Sequence, residues 1–153
     1  MQVIIDEGDE VIIPSPYWVS YPDMVKLAGG TPVFIETGSD SGFKITPEQL
    51  ASKITPRTRA VVINSPSNPT GAAYTRDELA AFAAVLEKTD VIPISDDIYE
   101  TIVYDGFKFF NIANISDSMK ERTIVLNSIS KTYAMTGWRI GYTAGNEEII
   151  KKM

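Results

Sequence analysis

With 153 residues, 44% of them hydrophobic, the chain has room for one layered domain around a real core and little room for two. A formal net charge of −6, with no clustering of Lys and Arg, argues against nucleic acid as a partner. The lack of Cys and His excludes disulfides and thiolate metal sites and leaves Lys, Tyr, Asp and Glu for any acid–base chemistry.

The longest apolar runs are too short to cross a bilayer, and Met1-Gln2-Val3-Ile4-Ile5-Asp6-Glu7 lacks the basic and hydrophobic regions of a signal peptide. No membrane partner and a cytoplasmic location are therefore expected. In chain order, Met1–Glu7 reads as the last turns of a helix whose beginning lies outside the sequence. Strands are predicted at Glu10–Pro14 and Pro32–Glu36, with a helix near Tyr21–Ala28 between them that stops at Gly29-Gly30, where a left-handed residue is readily accommodated. Thr46-Pro47-Glu48-Gln49 starts a second helix with a capping hydroxyl, a first-turn proline and a capping-box Gln. A strand at Ala60–Asn64 follows. Thr75-Arg76-Asp77-Glu78 repeats the capping box ahead of Leu79, Phe82, Ala83 and Leu86, an apolar stripe at helical spacing. Strands at Val91–Ser95, Thr123–Asn127 and Arg139–Ala144 complete the set, and Asn146–Met153 opens a helix. Val- and Ile-rich runs alternating with turns and helical segments are the pattern of βαβ units and a parallel sheet.

Four segments after strands carry candidate chemistry. Ser128-Ile129-Ser130-Lys131 and Thr136-Gly137-Trp138-Arg139 put an amine, hydroxyls and a guanidinium at the carboxyl end of a strand, where open α/β sheets place their ligands. An amine there can lose its proton by desolvation or a nearby cation and attack a carbonyl to form a Schiff base, and a guanidinium forks well onto phosphate. The plain alternative is a solvated Lys131 and an Arg139 paired to any carboxylate. In Ile94-Ser95-Asp96-Asp97-Ile98-Tyr99-Glu100 the acids are expected to run out to solvent, and that reading is kept for Asp97 and Glu100. Asn64-Ser65-Pro66-Ser67-Asn68-Pro69-Thr70-Gly71 is by composition only a turn. Pro14-Ser15-Pro16-Tyr17-Trp18-Val19-Ser20-Tyr21-Pro22 places aromatics in a loop, either as a lid over a core edge or as a stacking face for a flat ring.

Together these segments resemble the signatures of the fold-type I, pyridoxal-phosphate-dependent class I aminotransferases: S-x-S-K with G-W-R-I-G-Y, S-D-[DE]-I-Y-E, N-P-x-N-P-T-G and P-Y-W-x-x-Y-P. The likeness is greatest to the aspartate aminotransferases. It implies a three-layer α/β/α architecture with a mostly parallel sheet, part of the large cofactor-binding domain across residues 1–153. It implies that Lys131 holds pyridoxal 5′-phosphate as a Schiff base, that Ser128 and Arg139 bind its phosphate with Ser130 a second hydroxyl, and that Asp96 faces the ring nitrogen. Tyr99 and Asn68 would donate to the phenolic oxygen and Trp18 would stack on the ring, with Tyr17 as its substitute in another register. Ser65 stands where many members have Asn, outside these contacts.

The implied reaction is transamination between an amino acid, aspartate by likeness, and a 2-oxo acid, in a homodimer whose sites take residues from the partner. The resemblance also implies that the sequence is a fragment, without the N-terminal segment, the phosphate loop, the small domain and the carboxylate-binding Arg, and so inactive by itself. Two other readings use the same residues. One is a magnesium-dependent phosphoryl-transfer or receiver-like domain built on Asp96, Asp97 and Lys131; the other is a non-catalytic fragment that covers its sheet edges by self-association.

Overall fold

The computed structural model describes residues 1–153. Six strands form one sheet: β1 Glu10–Ser15, β2 Thr31–Glu36, β3 Thr58–Asn64, β4 Ile92–Asp96, β5 Ile124–Ser128 and β6 Gly141–Ala144. Their spatial order is β2-β1-β3-β4-β5-β6, and every pair is parallel except β5 with β6. The expected mostly parallel α/β sheet is present.

Both faces of the central strands are buried, and strict alternation divides their side chains. Ile12, Val61 and Ile63 point into one core cluster, while Val11, Ile13, Ala60 and Val62 point into the other. Helices α2 (Pro47–Lys53), α3 (Arg76–Leu86) and α4 (Asp117–Arg122) supply Leu50, Leu79, Phe82, Leu86 and Met119 to the first cluster. Helix α1 (Ser20–Leu27) supplies Tyr21 and Val25 to the second. The result is the α/β/α layering expected from the sequence.

Both expected capping boxes form. Gln49 N–H donates to Thr46 Oγ1 and Thr46 N–H to Gln49 Oε1; Thr75 and Glu78 repeat the exchange. Helix α1 ends as anticipated at Gly29, whose φ of +87° is left-handed, and at Gly30 a Cβ would lie 2.6 Å from Ile5 Cγ2. Asn146 caps α6 (Glu147–Ile150) through the Glu148 N–H.

Two expectations are corrected. Met1–Glu7 forms turns, not a helix: the Ile4 and Ile5 N–H groups both donate to Met1 O, the Asp9 carboxylate accepts from Asp6 N–H, and the Arg59 side chain donates to Ile4 O. The segment is held by the burial of Ile4 and Ile5 in the core cluster that also takes Tyr21 and Val25. Strand β6 begins at Gly141, not Arg139, because Arg139 sits at φ +54°, a left-handed conformation that ends the single 3₁₀ turn Thr136–Trp138.

Candidate active site

Strands β1, β3, β4 and β5 are neighbours, and the chain reverses its direction of winding between β1 and β3. Such a switch point opens a crevice at the carboxyl ends of the strands. Here it holds a cavity of about 440 Å³, within the usual range for a small-molecule site. Trp18, Asn68, Asp96, Tyr99, Ser128, Ser130, Lys131 and Arg139 all line it. Every site residue picked out in the sequence therefore reaches one space, although they come from segments up to 121 positions apart from Trp18 to Arg139.

Strand β4 delivers Asp96 as its last residue, and the following turn delivers Tyr99. The Asp96 carboxylate is half-buried; its Oδ2 accepts from the Tyr21 phenol at 2.6 Å and its Oδ1 from Ile98 N–H at 3.3 Å. Lys131 stands on the short helix α5 (Ile129–Thr132) that follows β5, with Nζ 5.7 Å from the centroid of the Tyr99 ring. Ser128 caps that helix: its Oγ accepts from Ser130 N–H at 3.0 Å and lies 2.8 Å from both Ser130 Oγ and the Ile140 carbonyl. This draws the two hydroxyls and the start of β6 together. Arg139 is exposed at the mouth, with Nη1 donating to Thr136 O at 2.9 Å.

Trp18, 41% exposed, meets Tyr21 edge to face at 5.4 Å. Tyr17 instead stacks on Phe34 at 5.0 Å with an interplanar angle of 15°, outside the cavity, so Trp18 is the aromatic that lines it. Ser65 is buried and accepts from Tyr74 N–H at 3.0 Å, a structural bond.

Three residues of this neighbourhood were missed in the sequence. Tyr21 was read only as part of the aromatic loop. Asn64 ties two strand ends to the turn beyond: its Nδ2 donates to Asp96 O at 3.1 Å and its Oδ1 accepts from Asn68 N–H at 2.8 Å. Asp97, expected in solvent, is only 3% exposed. Its Oδ1 accepts from Ser95 Oγ at 2.7 Å and its Oδ2 from Asn111 Nδ2. Burial, outweighing those two bonds, pushes its carboxyl up to about 6. Period-two alternation along β4 was the available signal, since it sends Ser95 and Asp97 one way and Asp96 the other. Glu100 is half-buried on the same turn.

Asp97 is thus committed to Ser95 and Asn111 and does not line the cavity. The phosphoryl-transfer reading needs it beside Asp96, and that pairing does not form. No three of the acidic side chains lie close enough together to hold a metal ion.

The donor set suits a phosphorylated pyridine aldehyde. One anion, one amine, a phenol with an amide, two hydroxyls with a guanidinium, and an indole face are grouped in a single cavity. Each has the chemistry to answer a different part of pyridoxal 5′-phosphate: ring nitrogen, aldehyde, phenolic oxygen, phosphate and ring face.

Comparison with known proteins agrees. The family model "Aminotransferase class I and II" matches residues 1–153. An aspartate aminotransferase of Bacillus subtilis is 58% identical over 152 residues, covering 99% of this chain and 39% of the relative. An aspartate/prephenate aminotransferase of Cereibacter sphaeroides is 59% identical over 150 residues, covering 97% and 38%. Among solved structures, the aspartate aminotransferase of Rhizobium meliloti superposes with a TM-score of 0.95 at 51% identity, covering 98% of this chain and 38% of that one. The chain thus spans about two-fifths of the length of the relatives it matches.

Proposed function

The chain belongs to the class I and II aminotransferase family, and we propose that it forms the cofactor-binding part of a pyridoxal-phosphate-dependent transaminase that exchanges an amino group between aspartate and a 2-oxo acid. The observation that carries this is the convergence of Lys131 and Asp96 on one cavity. Aspartate as substrate is supported by the names of the most similar relatives.

The family's cofactor supplies an aldehyde that bonds amines and a ring that accepts electrons from the substrate carbon. The chain's own residues do the rest. Lys131 would hold the aldehyde end of the cofactor through Nζ. Its free amine would take the proton from the substrate α-carbon as general base and later return one as general acid. In a chain without His, this amine is the proton carrier best placed in the cavity. Asp96 would keep the ring nitrogen protonated. Tyr99 and Asn68 would donate to the phenolic oxygen, Ser128, Ser130 and Arg139 would hold the phosphate, and Trp18 would cover one face of the ring.

In this reading the site is completed by residues outside this chain, including a carboxylate-binding group and contributions from a partner subunit of a cytoplasmic homodimer. Incubation with pyridoxal 5′-phosphate, borohydride reduction and peptide mapping tests the assignment. The label is expected on Lys131 and should be lost in Lys131→Ala; a label confined to other lysines overturns it. A panel of amino and 2-oxo acids, assayed on the whole protein, tests aspartate.

A further inference from the structure

The Tyr21 side chain is 4% exposed, and its O–H donates to Asp96 Oδ2 at 2.6 Å across 75 positions of sequence. Any buried phenol seeks a partner, so the bond alone proves only satisfaction. Its partner gives it meaning. Asp96 is the acid that lines the cavity, whereas Asp97 is turned to Ser95 and Asn111. The contact to Asp96 Oδ1 is the longer one, 3.3 Å from Ile98 N–H, so the Tyr21 bond is what fixes the carboxylate plane. Burial first, and then the charge of Asp96, hold the Tyr21 phenol far above its ordinary range, so it remains a neutral donor.

Resting on the cofactor reading above, we propose that Tyr21 is a positioning residue that holds the Asp96 carboxylate in place to face the nitrogen of a bound pyridine ring. Its O–H donates to Oδ2 at 2.6 Å, so the carboxylate is fixed as an acceptor for the ring N–H. A carboxylate so held keeps the proton on the nitrogen, where it is needed for the ring to accept electrons. The local fold couples this to ring stacking. Tyr21 N–H donates to Trp18 O at 3.1 Å, and the two side chains meet edge to face, so the start of α1 places both the covering indole and the buried donor.

The test is the nitrogen-15 chemical shift of the ring of pyridoxamine 5′-phosphate labelled at that atom, bound at saturating concentration to wild type and Tyr21→Phe. Tyr21→Phe should move the ring signal toward that of unprotonated pyridine and weaken binding about ten- to a hundredfold, the loss of one hydrogen bond to a charged group. Site-specific replacement of Tyr21 by 3-fluorotyrosine, a stronger donor, should move the signal the opposite way and guards against a variant that fails to fold. A purely structural phenol would change thermal stability and leave the nitrogen signal alone. If both replacements bind the probe with the wild-type shift, this inference falls and the cofactor reading stands. If wild type does not bind the probe at all, both fall.

Discussion

Lys131 Nζ lies 5.7 Å from the centre of the Tyr99 ring, so the phenol beside Asp96 also carries the amine. The two side chains come from neighbouring strand ends, β4 and β5, and a cation over an aromatic face gains about 0.5–1 kcal/mol where solvent reaches it. Tyr99→Phe keeps the ring and removes only the O–H. Borohydride labelling of Lys131 should persist in this variant, while affinity for pyridoxal 5′-phosphate falls about fivefold, the worth of one neutral hydrogen bond. Tyr99→Ala should lower both. Undiminished affinity in Tyr99→Phe, read by absorbance titration, would remove Tyr99 from the proposed phenolic-oxygen contact.

Asp97 predicts a pH dependence of folding. Its carboxyl is pushed up to about 6 in the folded chain from an ordinary value of 3.8, burial being the main cause. The folded state therefore holds this proton more tightly than the unfolded state. The stability so contributed is fully present below the unfolded value and is lost as pH rises through about 6, a change approaching 3 kcal/mol, or about 1.4 kcal/mol per unit. Asp97→Asn lacks this titration. Measured by urea denaturation, the stability of wild type relative to Asp97→Asn should fall steadily between pH 4 and pH 7, both values being roughly those of the window above. A difference that stays flat would mean that Asp97 is charged throughout.

The α3 capping box gives a control that should spare the cavity. Thr75 Oγ1 accepts from Glu78 N–H, and Glu78 Oε2 accepts from Thr75 N–H at 2.7 Å. Thr75→Ala removes the hydroxyl acceptor and should lower unfolding free energy by about 0.5–2 kcal/mol. Helix α3 packs through Leu79, Phe82 and Leu86 into the core cluster on the face opposite Tyr21. Cofactor affinity should therefore not change at temperatures where the variant is folded, and a drop there would show that the two faces are coupled.

The positions of the strands, and of the residues that line the cavity, were legible because each rests on local sequence. Runs such as Ala60–Ile63 are apolar throughout when both sheet faces are covered, and Asp96, Asn68 and Lys131 sit in contiguous motifs that close those runs. What escaped depends on partners far along the chain. Tyr21 meets Asp96 across 75 positions, and Asp97 meets Asn111 across 14. Two adjacent aspartates look equivalent in sequence; the pleat of β4 sends one to the cavity and the other into the protein. Arg139 was placed in a strand because Ile140-Gly141-Tyr142 continues the pattern, but a left-handed backbone leaves no mark in the composition of a run without glycine at that position.

That left-handed Arg139 separates binding from folding. At φ +54° a residue with a Cβ carries roughly 1–2 kcal/mol of strain that glycine would not, while the side chain gives back one exposed hydrogen bond, to Thr136 O. A surface position would relax this with glycine unless the guanidinium were needed, so the strain points to a role at the cavity mouth. Arg139→Gly should leave unfolding free energy within about 1 kcal/mol of wild type, or above it, and weaken pyridoxal 5′-phosphate at least tenfold by removing a charge-assisted contact. Arg139→Lys keeps the charge but not the fork, and should fall between the two in affinity while retaining the strain. Titration with pyridoxal, which lacks the phosphate, completes the argument: all three proteins should bind it alike, and a loss as large as that for the phosphorylated form would place Arg139 elsewhere in the site.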